Sequence, residues 1–176
     1  SPYYSAAQAV VALEGGPAEG VSDLDGLKSL VFGAMSGSTS AQTIDCTFPI
    51  GNPTSLQTEL GRIRSEAEEA VRAGANHLIL TDENQSADRA GMPMILATSA
   101  IHAWLTSKGL RTFTSLNVRS AECIDPHYFA VLVGCGATTV CAYLAQDAIA
   151  DRIARGLIEG NLTDAMRRYR EAVDAG

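Results

Sequence analysis

Four polar residues stand at the carboxyl ends of apolar runs, where a parallel sheet would place ligand-binding side chains. They are Asp45, Asp82, Asn117 and Arg119. In α/β sheets and barrels, ligands bind beside the carboxyl ends of the strands. Two carboxylates with an amide and a guanidinium would suit a small anionic or hydroxylated ligand. The competing interpretation is that these side chains cap helices and tie loops together, and it is the favoured one, because loop carboxylates and arginines commonly do so.

The three histidines do not form a metal-binding pattern. His77, His102 and His127 share no ligand spacing, such as a pair four residues apart on one helix face. His77 lies at the start of a strand, His102 on an apolar helix and His127 beside a helix start, which are structural positions. The sequence therefore predicts no metal site.

The four cysteines are interpreted as packed thiols. Cys46, Cys123, Cys135 and Cys141 lie in or beside apolar stretches. The separation of Cys135 and Cys141 occurs in some iron–sulfur motifs, but a cluster needs at least a third cysteine nearby. Cys46 has no local base that would make it a nucleophile. We expect reduced thiols without disulfides, and hence a cytoplasmic protein.

The elements that position these residues alternate between short β-rich runs and longer helical patterns. Apolar and β-branched runs predict four strands, at 43–48, 77–81, 112–118 and 138–143. Apolar residues at helical spacing predict helices, at 56–71, 93–108, 127–133, 147–157 and 162–173. Thr54 and Gln57 predict a capping box before the first helix. Residues 82–91 are a predicted loop.

A helix, a glycine and a strand follow one another three times, at Gly74, Gly109 and Gly136. Glycine supplies the left-handed conformation that closes the last turn of a helix. This alternation of strands and helices requires right-handed parallel crossovers. The apolar strands predict a sheet covered by helices on both faces. The prediction is an α/β domain of parallel βα units. It forms either a half-barrel or barrel-like, TIM-related domain or a small open sheet.

Length and charge narrow the class of protein further. The 176 residues are 46% hydrophobic, which suffices for one domain with a substantial core. The net charge of -7 disfavours nucleic acid and anionic membranes as partners, because the field of the protein would repel phosphate. No stretch approaches eighteen consecutive apolar residues, so no membrane span is predicted.

Residues 1–42 differ in amino-acid composition from the rest of the chain. They are rich in Ala, Gly and Ser, with a short helical candidate near 23–32, and they predict an irregular lead-in that belongs to a preceding part of the domain. The βα-repeat core is predicted at 43–176. Because the chain begins at Ser1 without a Met, we expect it to be a piece of something longer.

Six segments of residues 43–176 carry a resemblance to a known family. They are 44–49 (Ile-Asp-Cys-Thr-Phe-Pro), 62–74, 78–82 (Leu-Ile-Leu-Thr-Asp), 93–102, 109–112 and 127–145. In this order they resemble the second half of the central domain of the glutamate synthase large subunit. The first 42 residues match more loosely.

The resemblance implies a parent oxidoreductase that makes glutamate from glutamine and 2-oxoglutarate. It implies a glutaminase domain, this central domain, an FMN-binding barrel and a C-terminal β-helix in one chain. The parent would hold FMN and an iron–sulfur cluster and would take electrons from NAD(P)H or ferredoxin, with a small reductase subunit as a further candidate partner. The central domain of that family has no cofactor of its own. The resemblance therefore implies no catalytic, cofactor-binding or metal residue in this chain.

Three hypotheses of different kinds follow. The first is a connecting domain that couples the glutaminase and FMN domains, which predicts exposed apolar contact surface on this chain. The second is a self-contained, barrel-like enzyme or binding module that uses Asp45, Asp82, Asn117 and Arg119 in a pocket at the strand ends. The third is a free-standing interaction protein, which predicts a stable monomer or closed oligomer without flavin.

Overall fold

The computed structural model describes residues 40–176. The helical candidate at 23–32 and most of the predicted lead-in lie outside the described residues. Residues 40–42, which the sequence assigns to the lead-in, already belong to the first strand.

The described part of the chain alternates strands and helices. Its strands are β1 Ser40–Asp45, β2 Thr47–Pro49, β3 Ala75–Thr81, β4 Arg89–Gly91, β5 Ser115–Arg119 and β6 Thr139–Cys141. Its α-helices are α1 Ser55–Arg72, α2 Met94–Ser107, α3 Pro126–Gly134, α4 Tyr143–Ala154 and α5 Leu162–Ala175. No helix among these is both long and apolar enough to cross a membrane.

Strands β1, β3, β5 and β6 form a parallel sheet in that spatial order. The order of neighbours never reverses, and right-handed crossovers then place α1, α2 and α3 on the same face. This is the winding of consecutive units in a (β/α)8 barrel, whereas a doubly wound sheet has a switch point. The predicted α/β class with parallel βα units is confirmed.

The two faces of this sheet differ in chemistry. The centre of the face under the helices is apolar, and five of its residues are at most 1% exposed: Ile44, Leu78, Leu80, Leu116 and Val118. Toward the margins of this face, Gln42 is exposed and Val140 is half-buried. The other face, called the open face below, consists of the alternate residues of the strands: Ala41, Thr43, Asp45, His77, Ile79, Thr81, Ser115, Asn117, Arg119, Thr139 and Cys141. Thr43 is exposed, and Ile79 and Asn117 are half-buried. Polar residues alternate with the apolar ones along β5, which differs from the continuously apolar strands expected from the sequence. That helices cover both faces stays a prediction.

The predicted strand at 43–48 is two strands. It breaks at Cys46, whose N–H donates to the carbonyl of Thr81 at 2.8 Å and whose carbonyl accepts from the N–H of Met92 at 2.8 Å. Beyond this break, β2 pairs antiparallel with β4, with Phe48 opposite Ala90. The predicted loop at 82–91 therefore contains a strand, whose paired residues lie 40 to 44 positions earlier in the sequence.

The three glycine junctions are confirmed. Gly74, Gly109 and Gly136 have φ angles of 101°, 69° and 110°, which side chains other than that of glycine rarely adopt. The capping box is wrong, because the hydroxyl of Thr54 does not accept from the helix. It donates to Asn52 Oδ1 at 3.0 Å.

Two predicted strands are shorter than expected. Residues Arg111–Phe113 form a 3₁₀ turn before β5, held by Arg111, which donates to the carbonyls of Thr114 at 2.6 Å and Gly136 at 2.7 Å. Tyr143, predicted to end the last strand, is the first residue of α4.

Candidate functional site

The sheet register brings two of the four candidate residues together and keeps two apart. Asp45, Thr81 and Arg119 lie side by side in one row of the sheet. Since β3 separates β1 from β5, Asp45 and Arg119 stand about 10 Å apart along this row. Asp82 directly follows β3 and so lies beside Arg119. Asn117 lies one step below, toward the amino ends of the strands.

Asp82 ties the end of β3 to the loop after β5. Only 1% of this residue is exposed, and its carboxylate accepts from the N–H of Ala121 at 3.0 Å and from the hydroxyl of Ser120 at 3.4 Å. The Tyr143 hydroxyl also bonds to it. Burial raises the pKa of the Asp82 carboxyl above its usual range, and these bonds offset part of that effect.

Arg119 is buried against the same side chains. It is 7% exposed, and its Nη2 donates to Glu83 Oε1. Its guanidinium carbon lies 5.7 Å from the centre of the Tyr143 ring. Burial lowers the pKa of Arg119 from its ordinary value, while Cys141 and Tyr143 act in the opposite direction. Asp82, Glu83, Arg119, Cys141 and Tyr143 thus form one unit, called the strand-end cluster below.

Asp45 has a separate local role. Its Oδ1 accepts from the N–H of Thr47 at 2.9 Å, which closes the turn between β1 and β2. Its Oδ2 lies 3.8 Å from Nη2 of Arg89, and its backbone carbonyl accepts from Arg62 of α1. The carboxylate is half-buried and belongs to this turn, apart from the strand-end cluster.

Asn117 belongs to a hydrogen-bonded row on the open face. Its Nδ2 donates to Ser115 Oγ at 3.0 Å, and its Oδ1 accepts from Thr139 Oγ1 at 2.8 Å. Ser115 Oγ in turn lies 2.7 Å from Nδ1 of His77. Side chains of three neighbouring strands are joined in this way, so the polar residues of the open face are bonded to one another.

Glu83 and Tyr143 also stand at predicted strand ends, where side chains would face a binding crevice, but they are not among the four candidate residues. Their position after a strand is the signal that points to them. The direct contacts of both with Arg119 depend on the order of the strands. Glu122, in the loop after β5, accepts from the N–H of Met94 at 2.9 Å and thereby caps α2.

The cysteines of this chain do not fit an iron–sulfur cluster. Cys46, Cys123 and Cys141 are buried, and burial raises the pKa of each thiol to about 12, which opposes the thiolate form that binds iron. Within residues 40–176, no three Cys, His, Asp or Glu side chains are placed to share a metal ion. These cysteines act as small apolar core residues.

The geometry of the strand-end cluster suits a structural role that holds neighbouring elements together. Its carboxylates accept from backbone and side-chain donors of the same domain, and its arginine lies between a carboxylate and an aromatic ring. Charge-assisted hydrogen bonds of this kind hold three strand ends and the start of α4 in one arrangement.

The fold and the cluster define the class of protein: a singly wound parallel α/β domain whose strand-end polar residues bind one another. Residues 20–176 match the family model of the glutamate synthase central domain. The chain belongs to this family.

Relatives from different organisms agree with this assignment. The chain is 57% identical over 142 residues to the glutamate synthase [NADPH] large chain of Azospirillum brasilense, covering 80% of this chain and 9% of the relative. It is 39% identical over 111 residues to the chloroplastic ferredoxin-dependent glutamate synthase of Spinacia oleracea, covering 61% of this chain and 7% of the relative. It is 33% identical over 136 residues to the glutamate synthase [NADPH] large chain of Bacillus subtilis, covering 77% and 9%. The chain thus spans less than a tenth of each of these relatives.

Proposed function

We propose that this domain is a connector within a parent glutamate synthase, which makes glutamate from glutamine and 2-oxoglutarate. In this proposal it holds the ammonia-producing glutaminase domain and the FMN domain in a fixed arrangement, and it contributes no reacting group. The parent works in the cytoplasm, which agrees with the buried free thiols of this chain.

The observation that carries the proposal is that Asp82 and Arg119 already bond to other groups of the same domain. In a barrel-like enzyme this edge of the sheet holds the reacting groups. Here Asp82 accepts from Ala121, Ser120 and Tyr143, and Arg119 donates to Glu83. A substrate would have to break these bonds before it could bind, which favours a structural role.

A second observation supports a role in contacts between domains. Thr43 is exposed on the open face, and Ile79 beside it is half-buried. Large apolar side chains are also exposed at both edges of the sheet, with Phe113 at 66% and Ile124 at 79%. Surfaces of this kind are suited to packing against other parts of a longer chain.

The proposal is tested in the full-length enzyme by placing a charge on the open face. Thr43→Arg should lower the amount of glutamate formed per glutamine hydrolysed, because a bulky charge disturbs packing between domains. Glutamine hydrolysis itself should continue. The matched control is Ser107→Arg at the exposed end of α2, which should leave the ratio of the two products unchanged.

The alternative hypothesis, a self-contained ligand-binding module, is tested with the same assays. The connector proposal expects that Asn117→Ala alters stability more than turnover. If Asn117→Ala abolished turnover in a folded enzyme whose glutaminase reaction was intact, the domain would contribute a group to the chemistry. That result would contradict the connector proposal.

A further inference from the structure

The two edge strands of the parallel sheet differ in length and in exposure. β6 ends one side of the sheet with three residues, of which Thr139 and Cys141 are buried. β1 ends the other side with six residues, of which the first four are exposed. Proteins commonly protect the edge of a sheet by keeping its last strand short or by placing lysine, proline or a bulge in it. β6 is protected by its length, whereas β1 is long and exposed.

The sequence of β1 contains little that would protect its edge. It reads Ser-Ala-Gln-Thr-Ile-Asp, without lysine or proline, and its one charged residue is Asp45 at the end. Its register shift against β3 lies between Ser40 and Ala41, at the start of the strand. From Gln42 onward β1 is therefore a regular strand, and an exposed regular edge is a template for pairing with another strand.

The register of β1 shows which of its backbone groups lie on the outer edge. The N–H of Cys46, two residues after Ile44, donates to a carbonyl of β3. Successive residues of a strand direct their backbone groups to opposite sides. Gln42 and Ile44 therefore bond to β3 as well, whereas Ala41 and Thr43 direct their N–H and carbonyl groups away from the sheet.

Hydrogen bonds at the outer edge agree with this alternation. The carbonyl of Thr43 accepts from Nε2 of its neighbour Gln42 at 3.2 Å, and the carbonyl of Asp45 accepts from Arg62 of α1. Within residues 40–176, no strand pairs with this side of β1. The outward N–H groups of Ala41 and Thr43 are two residues apart, which is the repeat at which a neighbouring strand presents its carbonyls.

We propose that a strand of the parent chain, from outside these 176 residues, pairs parallel with the outer edge of β1. The chain spans less than a tenth of the relatives described above, which leaves most of the parent chain available to supply this strand. The parallel direction follows from the winding, because consecutive units of this sheet add parallel strands side by side. Main-chain hydrogen bonds then join the domain to its neighbours. The inference rests on the proposed place of this domain in a parent glutamate synthase.

Hydrogen–deuterium exchange tests the proposal in wild-type protein, with residue-level readout by mass spectrometry and electron-transfer fragmentation. The amides of Ala41 and Thr43 should exchange at least about tenfold more slowly in the full-length enzyme than in this chain alone, since pairing protects them. The amide of Ile44, which points to β3, should exchange slowly in both. Equally fast exchange of Ala41 and Thr43 in the two proteins would overturn the proposal. Equally slow exchange would also overturn it, because no strand from outside the chain would then be needed.

A proline substitution separates backbone pairing from burial of the side chain. Thr43→Pro removes the outward N–H and leaves the bonds between β1 and β3, and proline is tolerated at such edge positions. In the full-length enzyme it should speed exchange at Ala41 at least about tenfold. The matched variant Thr43→Val keeps the N–H and should leave that rate unchanged, while slow exchange at Ile44 reports that β1 stays paired with β3. An unchanged rate at Ala41 in Thr43→Pro would contradict strand pairing.

Failure of this inference and failure of the proposed function give different results. Thr43→Arg in the product-ratio assay tests whether the domain couples the two reactions, whereas amide exchange tests strand pairing alone. Fast exchange at Ala41 in the full-length enzyme, together with a lowered product ratio in Thr43→Arg, would overturn the strand and keep the connector function.

Discussion

The two faces of the parallel sheet are built from adjacent residues but have different surroundings. Leu80 lies under the helices and is fully buried, whereas its neighbour Ile79 lies on the open face and is half-buried. The helix-covered face is closed by the chain's own α1, α2 and α3. Among the described residues of the open face, Thr139 and Cys141 of β6 are buried, as are Thr81 and Arg119 at the strand ends. Ala41 and Thr43 of β1 are exposed.

This difference separates the face that α1, α2 and α3 cover from the open face. The apolar face gains its stability from burial within the described residues, and a packed core of this kind tolerates little change. The open face is held together by hydrogen bonds between its own side chains, among them Thr139 to Asn117. A polar face that bonds to itself remains ordered without cover and can still receive another domain.

The largest expected effect is on the helix-covered face. Leu80→Ala should lower the free energy of unfolding by about 3 kcal/mol, because it removes buried methyl groups and leaves a cavity. Ile79→Ala, one residue earlier on the open face, should cost about 1 kcal/mol, because the side chain is only half-buried. Urea denaturation of both variants measures the difference. Equal losses would mean that the two faces are equally covered.

A smaller, pH-dependent effect is expected at the strand-end cluster. Asp82→Asn should change the free energy of unfolding little at acid pH, because the protonated carboxyl and the amide each offer one carbonyl acceptor there. Burial raises the pKa of Asp82 above its ordinary value of 3.8, so the folded state binds the proton more tightly than the unfolded chain. Wild type therefore loses stability relative to the variant as pH rises from below 3.8 through the folded-state pKa.

Urea denaturation across this pH range checks the sign of the change in stability with pH. The variant Tyr143→Phe provides a second test of the same pH dependence. The Tyr143 hydroxyl bonds to Asp82 and lowers its pKa, so removing it should steepen the pH dependence. In the Asp82→Asn background, Tyr143→Phe should have no such effect. A difference between wild type and Asp82→Asn that does not change with pH would show that Asp82 is not the buried titrating group.

A third comparison lies within the open face. Thr139→Val removes the donor to Asn117 Oδ1 and should cost about 1 kcal/mol, because Thr139 is buried. Thr43→Val lies in the same row of the sheet, but Thr43 is exposed, so its effect should stay within about 0.5 kcal/mol. Thermal or urea unfolding distinguishes the two. A larger loss for Thr43→Val would place the closed part of the face at β1 instead of β6.

The smallest expected effect is a difference in the reactivity of the cysteine thiols, and it involves no change in stability. Cys46, Cys123 and Cys141 are buried, with the pKa of each thiol raised to about 12, whereas Cys135 is half-buried. At pH 8 a maleimide should therefore label Cys135 first and the others far more slowly. Rapid labelling of Cys141 would mean that α4 does not close the open face at β6.

Local signals in the sequence account for the parts of the fold that were predicted correctly. Gly74, Gly109 and Gly136 mark helix ends because their conformation excludes other residues. The apolar spacing of Ile63, Ala67 and Val71 places α1 on the sheet, and all three are buried. Such patterns depend on neighbours within a few residues.

The features that were missed depend on distant partners. The break at Cys46 is made by Thr81 and Met92, and the β2–β4 pair joins Phe48 to Ala90. The grouping of Asp82 with Arg119 depends on the order of the strands, which a linear pattern does not contain. For the same reason, the sequence did not reveal that Tyr143 lies over Arg119.

The central claim is that the open face is covered by the rest of a parent glutamate synthase. Maleimide labelling of Thr43→Cys, followed by mass spectrometry, compares this chain alone with the full-length enzyme. The account predicts labelling at least about tenfold slower in the full-length enzyme, while Ser107→Cys on α2 labels at the same rate in both. Equally rapid labelling of Thr43→Cys in both proteins would contradict it.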